Sequence, residues 1–173
     1  MVESFILGVG LDGVCAEAPQ DSPGDTYRDL EPVEGAAEAL WRLSDAGVWI
    51  RVVTNRLHAN WGHQTAVVDT VAWLDREHIP YRDLCFLGNK PQVECDLYVD
   101  DSPETIAALR KAGNEVIVFD RSHNQAERDP RATTWAEVEE IVMERFAERQ
   151  GVHGVQPQLP GVDGTLGRRL GSD

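Results

Sequence analysis

The chain is 173 residues long and carries 30 Asp and Glu against 16 Lys and Arg, a formal charge of −14 with 42% apolar residues. A chain of this size buries about 70% of the surface its unfolded form exposes, so one domain can form without disulfides or a structural metal. The negative field, with no Lys/Arg cluster longer than Arg168-Arg169, argues against a nucleic-acid polymer or an anionic membrane as partner. No apolar run reaches the ~18–20 residues of a membrane span, and the first residues lack the basic and apolar pattern of a signal peptide, so the chain reads as cytoplasmic. Cys15, Cys85 and Cys95 are odd in number and without CxxC spacing, which suits reduced thiols.

In chain order, short β-branched runs alternate with amphipathic stretches from Glu3 to about Gln150, the pattern of an α/β fold with a parallel sheet. The predicted strands are Phe5–Leu11, Val48–Thr54, Leu84–Gly88, Leu97–Val99 and Glu115–Phe119, each nearly continuous in apolar character, as strands covered on both faces are. Val33, Ala36, Ala37, Leu40 and Leu43 recur at helical spacing, and so do Val67, Val71 and Leu74. Ser102-Pro103-Glu104 combines an N-cap, a first-turn proline and an acid, which predicts a helix immediately after Asp101. Thr134-Trp135-Ala136-Glu137 predicts a capping box before a last helix through Trp135, Val138, Ile141, Val142 and Phe146.

The expected organisation is one domain over residues 1–150 followed by a flexible tail over 151–173, where six glycines and two prolines fall in 23 residues. Cys15–Pro32, with Pro19, Pro23, Gly24 and Pro32, is a connection of 18 residues, long enough to carry function.

In an open parallel sheet, ligands bind where connections diverge at the carboxyl ends of the strands. The first predicted strand delivers Gly10-Leu11-Asp12-Gly13 to that edge and the second Thr54-Asn55-Arg56. The third is followed by Lys90, and the fourth ends in Asp100-Asp101. Carboxylates of this kind can hold Mg²⁺ through hard oxygens while a hydroxyl and an ammonium hold the oxygens of a phosphate.

With these residues in place, the chain resembles the haloacid dehalogenase-like phosphohydrolases, and within them the 5′-nucleotidase (deoxyribonucleotidase) family. The matching pieces are LDGV at 11–14, VVTNR at 52–56, NK at 89–90, DLYVDDSPETI at 96–106 and VIVFDRSHN at 116–124, and the likeness spans roughly residues 3–145. The resemblance implies a Rossmannoid three-layer sandwich around a five-stranded parallel sheet, with Cys15–Pro32 as a minimal cap that leaves the site open or a partner subunit in a homo-oligomer to supply the lid. It implies Mg²⁺-dependent hydrolysis of a phosphomonoester, of the nucleoside 5′-monophosphate class, through an aspartyl-phosphate. The catalytic residues carried over are Asp12 as acid/base, Thr54 and Lys90. Thr54, Asn55, Arg56 and Lys90 would bind substrate, and Asp12, Asp100 and Asp101 would serve the metal. The family's first motif is Asp-x-Asp-Gly, and here Gly10 stands at its first Asp. That glycine removes the attacking carboxylate and a metal ligand together, and loss of a nucleophile can cost about 10⁶ in rate. The expectation is therefore a scaffold whose hydrolysis is lost or severely reduced while weak phosphate or nucleotide binding and a weakened Mg²⁺ site persist.

Other readings compete. A regulatory or partner-binding domain could keep this fold with no use for phosphate. Gly8-x-Gly10-x-x-Gly13 matches a dinucleotide fingerprint in form, but Pro19 and Pro23 stand where a helix must open and the second strand ends in Thr54. Asp100-Asp101 alone reads as a polar turn, Lys90 alone as a solvated lysine, and Thr54 alone as an ordinary strand residue. His58, Trp61 and His63 fit a helix entry better than a base-stacking site, and the five tryptophans are spread as packing residues are. His123 and Asn124 stand equally for a loop beside the site and for surface, and Cys15 has no evident His partner to make it a nucleophile.

Overall fold

Strands grow from the apolar runs: Ile6–Gly10 (β1), Trp49–Thr54 (β2), Asp83–Phe86 (β3), Leu97–Asp100 (β4) and Val116–Phe119 (β5). These come from a computed structural model that describes residues 4–17, 27–57 and 62–151. Ala36–Asp45 (α1), His63–Arg76 (α2), Pro103–Lys111 (α3) and Trp135–Arg149 (α4) are the helices. The sheet has six strands and not the five expected, because Arg131–Ala132 (β6) pairs with β5. β6 is two residues long and half polar, so it carries no apolar run to betray it. All pairings are parallel and the strand order is β3-β2-β1-β4-β5-β6.

Side chains alternate across the sheet. One face of the strands, with Leu7, Val9, Ile50, Val52, Val99 and Ile117, packs on Leu40 and Leu43 of α1, Trp73 of α2, and Trp135, Val138 and Val142 of α4. On the other face Tyr98, Val116 and Val118 meet Ile106 and Leu109 of α3. Both predicted caps form: Ser102 Oγ accepts from Thr105 N–H, and Thr134 Oγ1 accepts from Glu137 N–H while the Glu137 carboxylate reaches back.

The order 3-2-1-4 puts the topological switch between β1 and β4, where the crossovers leave in opposite directions and open a crevice at the carboxyl edge. After β1 the chain bends and opens no helix. Leu11 O accepts from the amides of Val14, Cys15 and Ala16, and among the described residues the first α-helix begins at Ala36. The dinucleotide fingerprint therefore lacks its helix. The expected cap is closed at its base, since Glu17 N–H donates to Glu31 O at 2.8 Å and Val33 N–H to Cys15 O at 2.7 Å. Residues 18–26 of that cap, His58, Trp61, and 152–173 of the expected tail lie outside the described residues.

Candidate functional site

Gly10 is the last residue of β1 and is buried. A Cβ built on it would lie 2.8 Å from Asp100 Oδ2 and 3.3 Å from Val14 Cγ2, so the space beside position 10 belongs to the Asp100 carboxylate. Asp100 ends β4 and is 2% exposed. A buried carboxylate needs partners for both oxygens. Lys90 Nζ donates to Oδ2 at 2.6 Å, and the Ser102 amide to Oδ1 at 3.0 Å. Lys90 reaches it from the 3₁₀ turn Lys90–Gln92 in the β3–β4 crossover.

Asp12, just past β1, is held by Arg56 in a two-pronged contact, Nη2 to Oδ1 at 2.6 Å and Nε to Oδ2 at 3.0 Å. The guanidinium is almost wholly buried and itself fixed: Nη1 donates to Thr70 Oγ1 at 2.9 Å, and the Tyr27 ring lies 4.1 Å away, centroid to Cζ. This planar fork, satisfied on several sides, sets the orientation of the Asp12 carboxylate. Tyr27 belongs to the 3₁₀ turn Tyr27–Asp29, which Arg28 ties to buried Asp69 of α2 at 3.0 Å. Thr54 is buried at the end of β2, where its hydroxyl accepts from Arg56 N–H at 3.3 Å, and Asn55 is exposed.

Asp101 has partners of its own. His123 Nε2 is 3.0 Å from its Oδ2, and Asn124 Nδ2 donates to its carbonyl at 2.9 Å. Gly13 passes so close, at φ +81°, that a Cβ there would meet Asp101 Oδ2 at 2.1 Å. Burial and then the Asp100 charge push the Asp101 carboxyl above its ordinary range, with His123 opposing. Arg121 closes the same loop by donating to Gly13 O at 2.9 Å and pairing with Glu17 at 3.1 Å. The Cys15 thiol is fully buried and pushed up by burial and then by Asp12, so it is held in the inert protonated form.

The structure thus gathers Gly10 with Asp100 and Lys90, Asp12 with Arg56, and Asp101 with His123 at the crevice between β1 and β4 and its flanks. Arg56 faces inward onto Asp12, not outward as a free substrate contact, and His63 is an exposed first residue of α2. Sequence reasoning missed Tyr27, Asp69 and Thr70. The signal was present for two of them, since Asp69 and Thr70 share the buried stripe of α2 with Ala66, Trp73 and Leu74.

Mg²⁺ asks for near-octahedral oxygen ligands, with carboxylates free to face it. Here Gly10 offers none, both Asp100 oxygens are engaged, Asp12 is clamped by Arg56 and Asp101 is turned onto His123. Among the described residues no three His, Cys, Asp or Glu side chains are grouped to hold a metal. The residues as arranged do not fit a resident Mg²⁺.

A doubly wound parallel sheet with this motif order at its carboxyl edge defines the haloacid dehalogenase-like phosphatase fold. Two solved structures share it. The D,D-heptose 1,7-bisphosphate phosphatase of Bordetella bronchiseptica, complexed with magnesium and phosphate, aligns at TM-score 0.61 and 14% identity over 81% of this chain and 98% of its own. That of Burkholderia thailandensis aligns at 0.63 and 17%, over 81% and 99%. The family model described as 5′ nucleotidase, deoxy (Pyrimidine), cytosolic type C protein matches residues 20–149, a stretch that begins beyond Gly10 and Asp12. A Chlorobaculum tepidum protein named provisionally as a 5′(3′)-deoxyribonucleotidase is 42% identical over an alignment 182 positions long, gaps included, covering 80% of this chain and 90% of its own. A Bordetella pertussis protein with the same provisional name is 32% identical over 124 residues, covering 69% and 63%. The chain belongs to this 5′-nucleotidase family.

Proposed function

We propose that the chain is a phosphate-binding member of this family, with a nucleoside 5′-monophosphate as its ligand class and with phosphomonoester hydrolysis lost or severely reduced. The observation that carries the reading is the end of β1, where Gly10 presents no carboxylate and Asp100 fills the space beside it. Attack on phosphorus needs a carboxylate free to approach the ester. Asp12 is not free to do so: the buried Arg56 fork grips both of its oxygens, and Thr70 and Tyr27 hold Arg56 in turn. Asp100 is 2% exposed and engaged on both oxygens.

Binding needs less. An ammonium has three protons, and Lys90 uses one on Asp100, so the others remain available to phosphate oxygens. The Thr54 hydroxyl accepts from the Arg56 amide and keeps its own proton to donate. Asn55 is exposed beside it. The relatives' provisional deoxyribonucleotidase names support the nucleotide class, and the motif likeness supports the assignment of Asp12, Thr54 and Lys90 to the site.

A thermal-shift and calorimetric titration of the full chain with inorganic phosphate and nucleoside 5′-monophosphates tests this, alongside a phosphate-release assay. The expected result is a rise in melting temperature with saturable binding and no release above background. A chain that ignores both ligands would instead be a regulatory or partner-binding domain. The pairing of Asp12 with Arg56 and of Asp100 with Lys90 favours that second reading. Rapid release by the chain as it stands would overturn both.

A further inference from the structure

We infer that the Lys90 ammonium is the permanent counter-ion of Asp100, so that the carboxyl edge of this sheet has no use for a divalent ion, and that removing the ammonium creates a site that takes Mg²⁺. This rests on the preceding reading in one respect, that Gly10 leaves β1 without a carboxylate.

Asp100 is buried and cannot be solvated, so its charge requires a cation at contact distance. Lys90 Nζ supplies it at 2.6 Å with its own side chain 11% exposed, and the Ser102 amide satisfies the other oxygen. The lysine is delivered by a short turn, with Pro91 following it and Val93 N–H donating back to Lys90 O at 3.1 Å, so the ammonium arrives from a braced backbone. A Mg²⁺ ion placed on Asp100 would face that ammonium across the same oxygen atom, and the two positive charges would repel. Among the described residues the other candidate carboxylates are committed elsewhere. Position 10 has no side chain, Asp12 spends both oxygens on Arg56, and Asp101 is turned onto His123.

Removing the lysine reverses the balance. Asp100 becomes a buried carboxylate without a counter-ion, and the place the ammonium held against Oδ2 is left to a hydrated cation. A hard dication that keeps most of its water and takes one or two carboxylates suits that arrangement.

The test compares wild type, Lys90→Arg and Lys90→Met as full chains, by thermal unfolding in MgCl₂ and in NaCl of equal ionic strength, with calorimetric Mg²⁺ titration and no phosphate present. Wild type and Lys90→Arg should melt at the same temperature in both salts and give no saturable Mg²⁺ heat. Lys90→Met should melt lower in NaCl, recover in MgCl₂ and bind Mg²⁺ at one site. Should Lys90→Met fold only when refolded with Mg²⁺, the inference is supported equally. Saturable Mg²⁺ binding by wild type overturns it, as does a folded Lys90→Met or Lys90→Gln that ignores Mg²⁺. Wild type that fails to bind phosphate would sink the preceding reading and leave this one standing, because the Mg²⁺ arm contains no phosphate.

Discussion

Replacing Gly10 by Asp and, separately, by Asn isolates what the empty position does for stability. Both side chains have nearly the same shape, and each must push Asp100 Oδ2 from the 2.8 Å it would keep to the new Cβ. Overpacking of this kind costs about 1–3 kcal/mol. Removing a strand glycine returns about 0.5–1 kcal/mol of backbone entropy. The Asp variant adds a second carboxylate beside a buried one. At roughly 4 Å and an effective dielectric near 20, two like charges repel by about 4 kcal/mol. Lys90, 2.6 Å from Asp100, lies close enough to bridge both and offset part of this. In the absence of added divalent ions, Gly10→Asp should therefore be less stable than Gly10→Asn by about 2–3 kcal/mol. Urea unfolding followed by tryptophan fluorescence reads the difference as a shift in midpoint at constant slope. Equal midpoints for the two variants would show that position 10 does not face Asp100, and the placement of the site would be wrong.

Two further predictions probe the surroundings. Gly13→Ala combines a φ of +81° with a Cβ 2.1 Å from Asp101 Oδ2, so it should lose about 2–5 kcal/mol in urea unfolding, whereas the same change at Gly113, with nothing within 4 Å, should lose only the backbone cost of about 1–2 kcal/mol. Burial disfavours the Asp83 carboxylate, but donors from Trp49 at 2.8 Å and Arg51 at 2.7 Å prevail and hold its native pKa below the ordinary 3.8. The unfolded chain thus binds that proton more readily, so the contribution is complete above 3.8 and disappears as the pH falls through the lower native value. The gap in urea midpoint between wild type and Asp83→Asn should be constant at neutral pH and close in acid; a gap that widens on acidification contradicts the assignment.

The residues that mark the edge of the sheet were legible because their signals are local. Ser102-Pro103 stops β4 and starts α3, so Asp100-Asp101 had to lie at a strand end. Thr54 closes an apolar run in the same way, while the first run, expected to reach Leu11, ends its strand one residue earlier at Gly10. Directions of long side chains were not legible. Arg56 follows Thr54 in a loop, and only the fold shows that Tyr27 and Thr70 turn its guanidinium inward onto Asp12. Lys90 and Asp100 are ten positions apart on separate elements, and their contact depends on how the β3–β4 crossover lies across the sheet. β6 escaped because strand propensity says little about two residues, one of them Arg131, whose guanidinium serves Asp120, Asn124 and Glu127. The paired base of the 15–32 connection escaped for a similar reason. Its backbone contacts join residues with no shared apolar pattern.

Phosphate release from nucleoside 5′-monophosphates by wild type and Gly10→Asp, assayed with and without Mg²⁺ on protein shown to be folded, goes most directly to the proposal that Gly10 stands where a nucleophile would. The account predicts background release by wild type and a gain of several orders of magnitude in Gly10→Asp, since a missing nucleophile can cost about 10⁶ in rate. Wild type turning over as fast as Gly10→Asp, or a folded Gly10→Asp with no gain, would contradict it.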